Sequence, residues 1–148
     1  AVVGFAEKFN FDYLVSRSFN NFGPYQSLNF AIPTFIKQAI KNNKIRVRGN
    51  TEREFVYVKD HMRLLKIFLD TGAKGFRQVC QGKPYWIAEI AEMIANAVSD
   101  PTNRCTVDIV ESDRKYDIQR LWGVPTLPEG FKFTPMSQAL AETVAYYR

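Results

Sequence analysis

One run of this sequence, Arg17-Ser-Phe-Asn-Asn-Phe-Gly-Pro-Tyr-Gln26, gathers carboxamides and aromatics that can hydrogen-bond a ligand and stack on it. Its position says where such a ligand would lie. Hydrophobic Tyr13-Leu14-Val15 leads in like a buried parallel strand, and Phe30 to Lys41 leaves like an amphipathic helix. The run therefore falls at the C-terminal end of a strand, where open α/β sheets hold their ligands. The chain also supplies cations. Its formal charge is +5, with much of the excess in Lys37, Lys41, Lys44, Arg46, Arg48 and Arg53 and a second group at Arg104, Arg114 and Lys115. Such a balance suits an anionic partner, and phosphate is the obvious one. The three lysines read as a solvated helix face.

The remaining composition narrows the chemistry. The 148 residues are 46% hydrophobic and 24% charged, which is globular composition and enough for one domain with its own core. No apolar run is long enough to cross a bilayer. The opening Ala-Val-Val-Gly-Phe-Ala-Glu-Lys lacks the pattern of a signal peptide. Cys80 and Cys105 make no disulfide framework and read as reduced thiols in a cytosolic protein. The only histidine is His61, so a metal site would need scattered ligands, against the usual clustered spacing. There is no G-x-S-x-G elbow, no Walker loop and no G-x-G-x-x-G.

The elements that position the run follow from periodicity. Val2 to Phe9 reads as the end of a helix, with Val2, Phe5, Ala6 and Phe9 on one stripe. A strand follows from Tyr13 to Ser16, then a polar loop from Phe19 to Asn29. The next helix turns Ile32, Phe35, Ile36, Ala39 and Ile40 inward and Lys37 and Lys41 outward. Ile45 to Arg48 alternates, Gly49-Asn50-Thr51 turns, and Glu54 to Val58 reads as a second strand of the same small ladder. Asp60 is an expected N-cap for a helix burying Met62, Leu65, Phe68 and Leu69. A strand from Arg77 to Cys80, a helix from Ile87 to Val98 and a strand from Thr106 to Val110 come next. Thr134-Pro135 starts the last helix, with Leu140, Val144 and Tyr147 inside.

Three stretches resemble the extended short-chain dehydrogenase/reductase family, the NAD-dependent sugar-nucleotide epimerases and dehydratases. Arg17 to Gln26 is similar to its R-x-x-N-x-Y/F-G-P run, worded most like the nucleoside-diphosphoglucose 4,6-dehydratases. Arg53-Glu-Phe-Val-Tyr-Val-Lys-Asp60 resembles its R-D-F-V-Y-V-x-D segment, and Gly82 to Ile94 its following loop and helix. The resemblance covers Val2 to Val144, but only the C-terminal half of such an enzyme. It implies an α/β fold: the last strand of a Rossmann-type domain plus a small mixed α/β substrate-binding domain. Residues 1–29 would end the Rossmann-type part and 30–148 would form the sugar-nucleotide-binding region, with the cofactor-binding half absent.

The same resemblance implies roles. Asn20 would hydrogen-bond the sugar nucleotide near its diphosphate, Arg53 would clamp the diphosphate, and Arg114 would be a second phosphate ligand. Phe19 would lie beside the nicotinamide of NAD or NADP, a cofactor held mainly by the missing half. A guanidinium fork suits the task, because its paired, charge-assisted bonds to phosphate are roughly twice as strong as neutral ones. The family's catalytic Tyr-x-x-x-Lys and its Gly-rich cofactor turn do not occur here. No catalytic residue is therefore assigned within the chain; that pair is expected upstream of Ala1, on the helix whose tail is Val2 to Phe9. The chain alone is expected to be inactive. Phe30 stands where these dehydratases often carry lysine, and the turn between Gly49 and Arg53 is short for the family.

Local alternatives stand beside these roles. Asn20 and Asn21 could simply cap the loop, and Arg53 could pair with Glu52 or Glu54. Asp60 reads only as a helix cap, His61 as helix surface with nothing to orient it, and Tyr25 and Tyr57 as packing residues. The expectation is a cytoplasmic homodimer, binding a nucleoside-diphosphate sugar but neither nucleic acid nor membrane, working as a lyase or isomerase. The alternative is a non-catalytic module that binds nucleotides or a partner chain.

Overall fold

The computed structural model describes residues 1–112 and 116–148. In chain order they form α1 (Val2–Phe9), β1 (Leu14–Ser18), β2 (Asn20–Phe22), α2 (Ala31–Asn42), β3 (Lys44–Arg48), β4 (Glu52–Arg53), β5 (Phe55–Tyr57) and α3 (Val58–Asp70). There follow β6 (Gly75–Val79), β7 (Tyr85–Trp86), α4 (Ile87–Val98), β8 (Thr106–Val110), β9 (Arg120–Leu121) and α5 (Met136–Tyr147). The expected α/β class, with parallel strands, is what forms.

Parallel pairing dominates, and it needs long crossovers, which the helices supply. β1 pairs with β6, β2 with β5 and β3 with β8, all in parallel. β4 lies between β7, antiparallel, and β9, parallel. Two expectations fail here. The polar loop after β1 contains a short strand, β2, with Asn20 opposite Phe55 and Phe22 opposite Tyr57. The predicted ladder of Ile45–Arg48 with Glu54–Val58 does not form. β3 does alternate, burying Ile45 and Val47 and exposing Lys44, Arg46 and Arg48. Phe55, Val56 and Tyr57, by contrast, are all buried. A strand covered on both faces belongs in a parallel layer rather than a half-solvated hairpin.

The main core joins Ile32, Phe35, Ile36 and Ala39 of α2 to Ile45 and Val47, to Ile90, Ala91 and Ile94 of α4, and to Leu140 and Val144 of α5. Ile40, expected inside, is exposed. A second core gathers Val56, Leu64, Phe68 and Val79, with Leu14, Leu127, Phe131 and Phe133 against it. The buried face of α3 is thus Asp60, Leu64 and Phe68, one residue every helical turn, and the expected Met62 and Leu69 point to water. The apolar stripe of α1 is also in water: only Ala6 is buried, while Val2, Phe5 and Phe9 are exposed.

Asp60 is not the N-cap of α3; it lies inside the first turn, 1% exposed. Its Oδ2 accepts the Thr134 backbone N–H at 2.8 Å, and its Oδ1 accepts from the Thr134 hydroxyl at 2.9 Å and from Arg63 at 2.6 Å. Thr134 is likewise no cap for α5, which begins after Pro135. The two presumed caps bind each other instead, docking the approach to α5 onto α3. Gly23 shows a further close approach: at φ +149°, a Cβ there would lie 2.5 Å from Val58 Cγ1.

Candidate functional site

A cleft of about 590 Å³ opens where the first turns of α2 face β3 and the β4 patch. That volume lies within the range of small-molecule sites. Asn20 and Arg53 both line it, as do Arg46, Arg48, Gln38 and Asp117. The elements explain the convergence. β2 carries Asn20 past β5, and the Asn20 Nδ2 donates to Glu54 O at 2.9 Å, the carbonyl next along the chain from Arg53. The two residues are thus held together through one backbone group.

Arg53 is anchored through both terminal nitrogens of its fork. Nη1 donates to its neighbour Glu52 O at 2.9 Å, and Nη2 to Asp117 Oδ1 at 2.8 Å. Both side chains of this ion pair are mostly buried, Arg53 at 16% and Asp117 at 20% exposure. Neither expected rival holds the arginine side chain through its carboxylate. The Glu52 carboxylate pairs with Arg120. Glu54 is fully buried, and it accepts backbone N–H groups from Gly82 at 2.8 Å, from Gly123 at 2.9 Å and from Gln81. Burying a carboxylate is costly unless its lone pairs are satisfied, and here they are met by amides rather than by a cation.

The other assigned residues lie elsewhere. Arg114 falls outside the described residues. Phe19 does not line the cleft; it is half-buried against Gly123, where an added Cβ would collide with the Phe19 ring and lie 3.2 Å from Cys80 Sγ. Ala1, upstream of which the catalytic pair is expected, is likewise not among the residues lining the cleft. It is exposed and precedes α1, its carbonyl accepting the Phe5 N–H at 3.1 Å, so its structural part is to start that helix. The Cys80 thiol is pushed up to about 11, by burial first and by the Glu54 charge second, against a Gly82 backbone hydrogen bond. It is a protonated packing group, not a nucleophile.

His61 is oriented after all. Its Nε2 meets Ser16 Oγ at 2.7 Å and its Nδ1 meets Asn21 Oδ1 at 3.3 Å. Asn21 Nδ2 donates to Ser18 Oγ at 2.8 Å, which aims the amide oxygen at the ring. Nδ1–H therefore donates to Asn21, and Nε2 accepts from Ser16. Burial lowers the His61 pKa, in keeping with a neutral ring. Tyr57 packs as expected, 2% exposed, its hydroxyl donating to Glu142 Oε2 at 2.7 Å. Tyr25 does not: it is 85% exposed, its ring 4.5 Å from that of Tyr146.

Sequence reasoning missed Asp117 and the buried role of Glu54. An acid directly after Arg53 was a signal for the second; nothing local pointed to the first, 64 positions from its partner. Among the described residues, no three His, Cys, Asp or Glu side chains converge on a metal position. No helix among the described residues is long and apolar enough to cross a membrane.

Known structures place this architecture among Rossmann-type α/β enzymes. The chain aligns with a UDP-N-acetylglucosamine 4-epimerase from Methanobrevibacter ruminantium M1 at TM-score 0.79 and 27% identity, covering 99% of this chain and 49% of that one. It aligns with an NAD complex of dTDP-glucose 4,6-dehydratase from Bacillus anthracis at TM-score 0.77 and 20% identity, over 98% and 47%. By sequence, it is 31% identical over 146 residues to a dTDP-glucose 4,6-dehydratase of Actinoplanes sp., covering 93% of this chain and 44% of that protein. The profile of the NAD dependent epimerase/dehydratase family matches residues 1–80. The chain belongs to that family. It spans about half the length of the curated relatives it matches.

Proposed function

We propose that this chain is the substrate-binding portion of an NAD(P)-dependent nucleoside-diphosphate-sugar epimerase or dehydratase, with the diphosphate held by Asn20 and Arg53. The observation that carries the reading is their shared cleft, with Asn20 tied to the carbonyl beside Arg53. The charge fits. Arg53 supplies the guanidinium, and Asp117, the one carboxylate lining the cleft among the described residues, takes up only part of its hydrogen-bonding capacity, which leaves the arginine able to bind an anionic ligand. Asp117 and the Glu52 carbonyl take two of the five guanidinium protons of Arg53 and fix its rotamer, so the arginine is ordered before the ligand arrives and keeps three donors for it. Arg114 is the second phosphate ligand of this reading.

These residues orient the sugar so that its reacting carbon faces the cofactor, which converts binding into proximity. NAD or NADP, when bound, accepts and returns a hydride. Phe19 fits a place beside its nicotinamide: it follows directly on β1 and presents a half-exposed ring at that strand's C-terminal end. The sequence holds neither Tyr-x-x-x-Lys nor a G-x-G-x-x-G turn, so this polypeptide by itself neither reduces NAD nor turns over substrate. In this reading the catalytic pair belongs to chain upstream of Ala1. Assembly as a cytoplasmic homodimer goes with it, and the exposed Val2, Phe5 and Phe9 of α1 are apolar surface that pairing would cover.

Calorimetric titration tests the diphosphate site. A nucleoside diphosphate should bind and the bare nucleoside should not. Arg53→Lys should weaken binding about tenfold or more, because it keeps the charge and loses the fork. Equal binding of nucleoside and diphosphate, or an Arg53→Lys chain that binds as well as the parent, overturns the reading. NAD reduction by the purified 148-residue chain would overturn its inactivity.

A further inference from the structure

The end of the cleft that β3 lines carries side chains that neither the core nor the proposed diphosphate contacts use. Because β3 alternates, Arg46 and Arg48 leave the same face of the strand, and both line the cleft. Their Cα atoms are roughly 6.6 Å apart at the rise of a strand. Lys44, on that same face, has an ion partner, Asp108 at 2.5 Å. Arg46 and Arg48 have no carboxylate partner among the described residues. Gln38 stands beside them. Its Oε1 accepts the Arg46 backbone N–H at 2.8 Å, which uses its acceptor and leaves its Nε2 protons for a ligand. Phe30, 57% exposed, lines the same cleft and offers a ring on which a planar group can stack.

We propose that this end of the cleft reads a guanine base, selected by Arg46 and Arg48, so that the ligand is a guanosine-diphosphate-linked sugar; this rests on the diphosphate site described above. The reason lies in hydrogen-bond sense. The groups left open around β3, two guanidinium forks and the Gln38 amide, are donors, while the unpartnered acceptor among the cleft's other lining residues is Gln26 Oε1. Guanine presents two adjacent acceptors, O6 and N7, at the spacing a single guanidinium meets with two parallel bonds. Thymine and uracil alternate acceptor, donor, acceptor along the corresponding edge, so their N3–H would face a donor. Adenine places its N6 donor beside N7. Cytosine has adjacent acceptors too, but its N4 donor flanks them. Only guanine offers an acceptor pair with no donor on that edge.

The experiment is a calorimetric titration of the whole chain with GDP, UDP, dTDP, CDP and ADP at one ionic strength. It is repeated with Arg46→Ala and Arg48→Ala. Both residues are exposed strand positions, and a thermal unfolding curve of each variant is the check that it still folds. GDP should bind about tenfold or more tighter than the others, the factor expected of one good bidentate pair. At least one variant should erase that margin while leaving UDP and dTDP affinities unchanged. Equal binding of all five diphosphates overturns the guanine inference and leaves the diphosphate site standing. So does a preference for another base, or a pair of variants that weaken all five alike, which would make the arginines phosphate ligands. Failure of all five to bind overturns both.

Discussion

Along the cleft, α2 lays Ile32, Phe35, Ile36 and Ala39 against β3, α4 and α5 until almost no solvent reaches them. At the corner made by α1 and β1, Val2, Phe5 and Phe9 are exposed, and Phe5 stacks on Phe9, with centroids 5.8 Å apart, while Lys8 Nζ lies over the Phe9 ring. Both helices carry an apolar stripe at the same period. What separates them is the layer opposite: α2 has a sheet and two helices to lie on, whereas of the α1 stripe only Ala6 is buried. Stability is therefore concentrated around the ligand cleft, and the corner contributes surface rather than core.

That contrast can be broken most sharply at the cleft. Ile36→Ala removes a side chain with no exposed area from the main core, and should cost about 2–5 kcal/mol in urea unfolding. A smaller loss would mean that the core around the cleft is loosely packed. The seam between the two regions should respond to pH through His61. Burial lowers its folded-state pKa below the ordinary 6.5, so the unfolded chain binds more protons in the interval between the two values. Stability should then be full above pH 6.5 and fall as pH drops through 6.5 towards the folded value. His61→Gln should flatten that part of the pH–stability curve; a slope that persists would place the titration elsewhere. The smallest effect belongs to the corner. Phe5→Ser should change the stability of this chain by no more than about 0.5 kcal/mol. If it also lowers the sedimentation coefficient, the exposed stripe is a contact between copies.

Much of this was legible in the residues. α4 and β8 have the limits that periodicity gave, 87–98 and 106–110, because α4 keeps an unbroken apolar stripe of Ile90, Ala91, Ile94 and Ala95 and β8 is paired with β3 along its whole length. Asn20 and Arg53 were assigned through family wording, and the fold brings them into one cleft. Strand partners were not legible. β5 reads like the return arm of a hairpin, yet its partner β2 lies more than thirty positions upstream, with Asn20 opposite Phe55. Such a choice depends on which layer covers both faces. The Asp60–Thr134 bond and the Arg53–Asp117 pair, spanning 74 and 64 positions, were hidden for the same reason. A local window sees an acid near a helix start and infers a cap; only the folded chain supplies the distant donor.

Glu54 makes the cleft an all-or-nothing feature. One carboxylate clasps amides 27, 28 and 69 positions downstream, so the stretch bearing Arg53 cannot settle until those distant loops have come home. The binding surface should consequently appear and vanish together with the rest of the molecule, in one step rather than ahead of it.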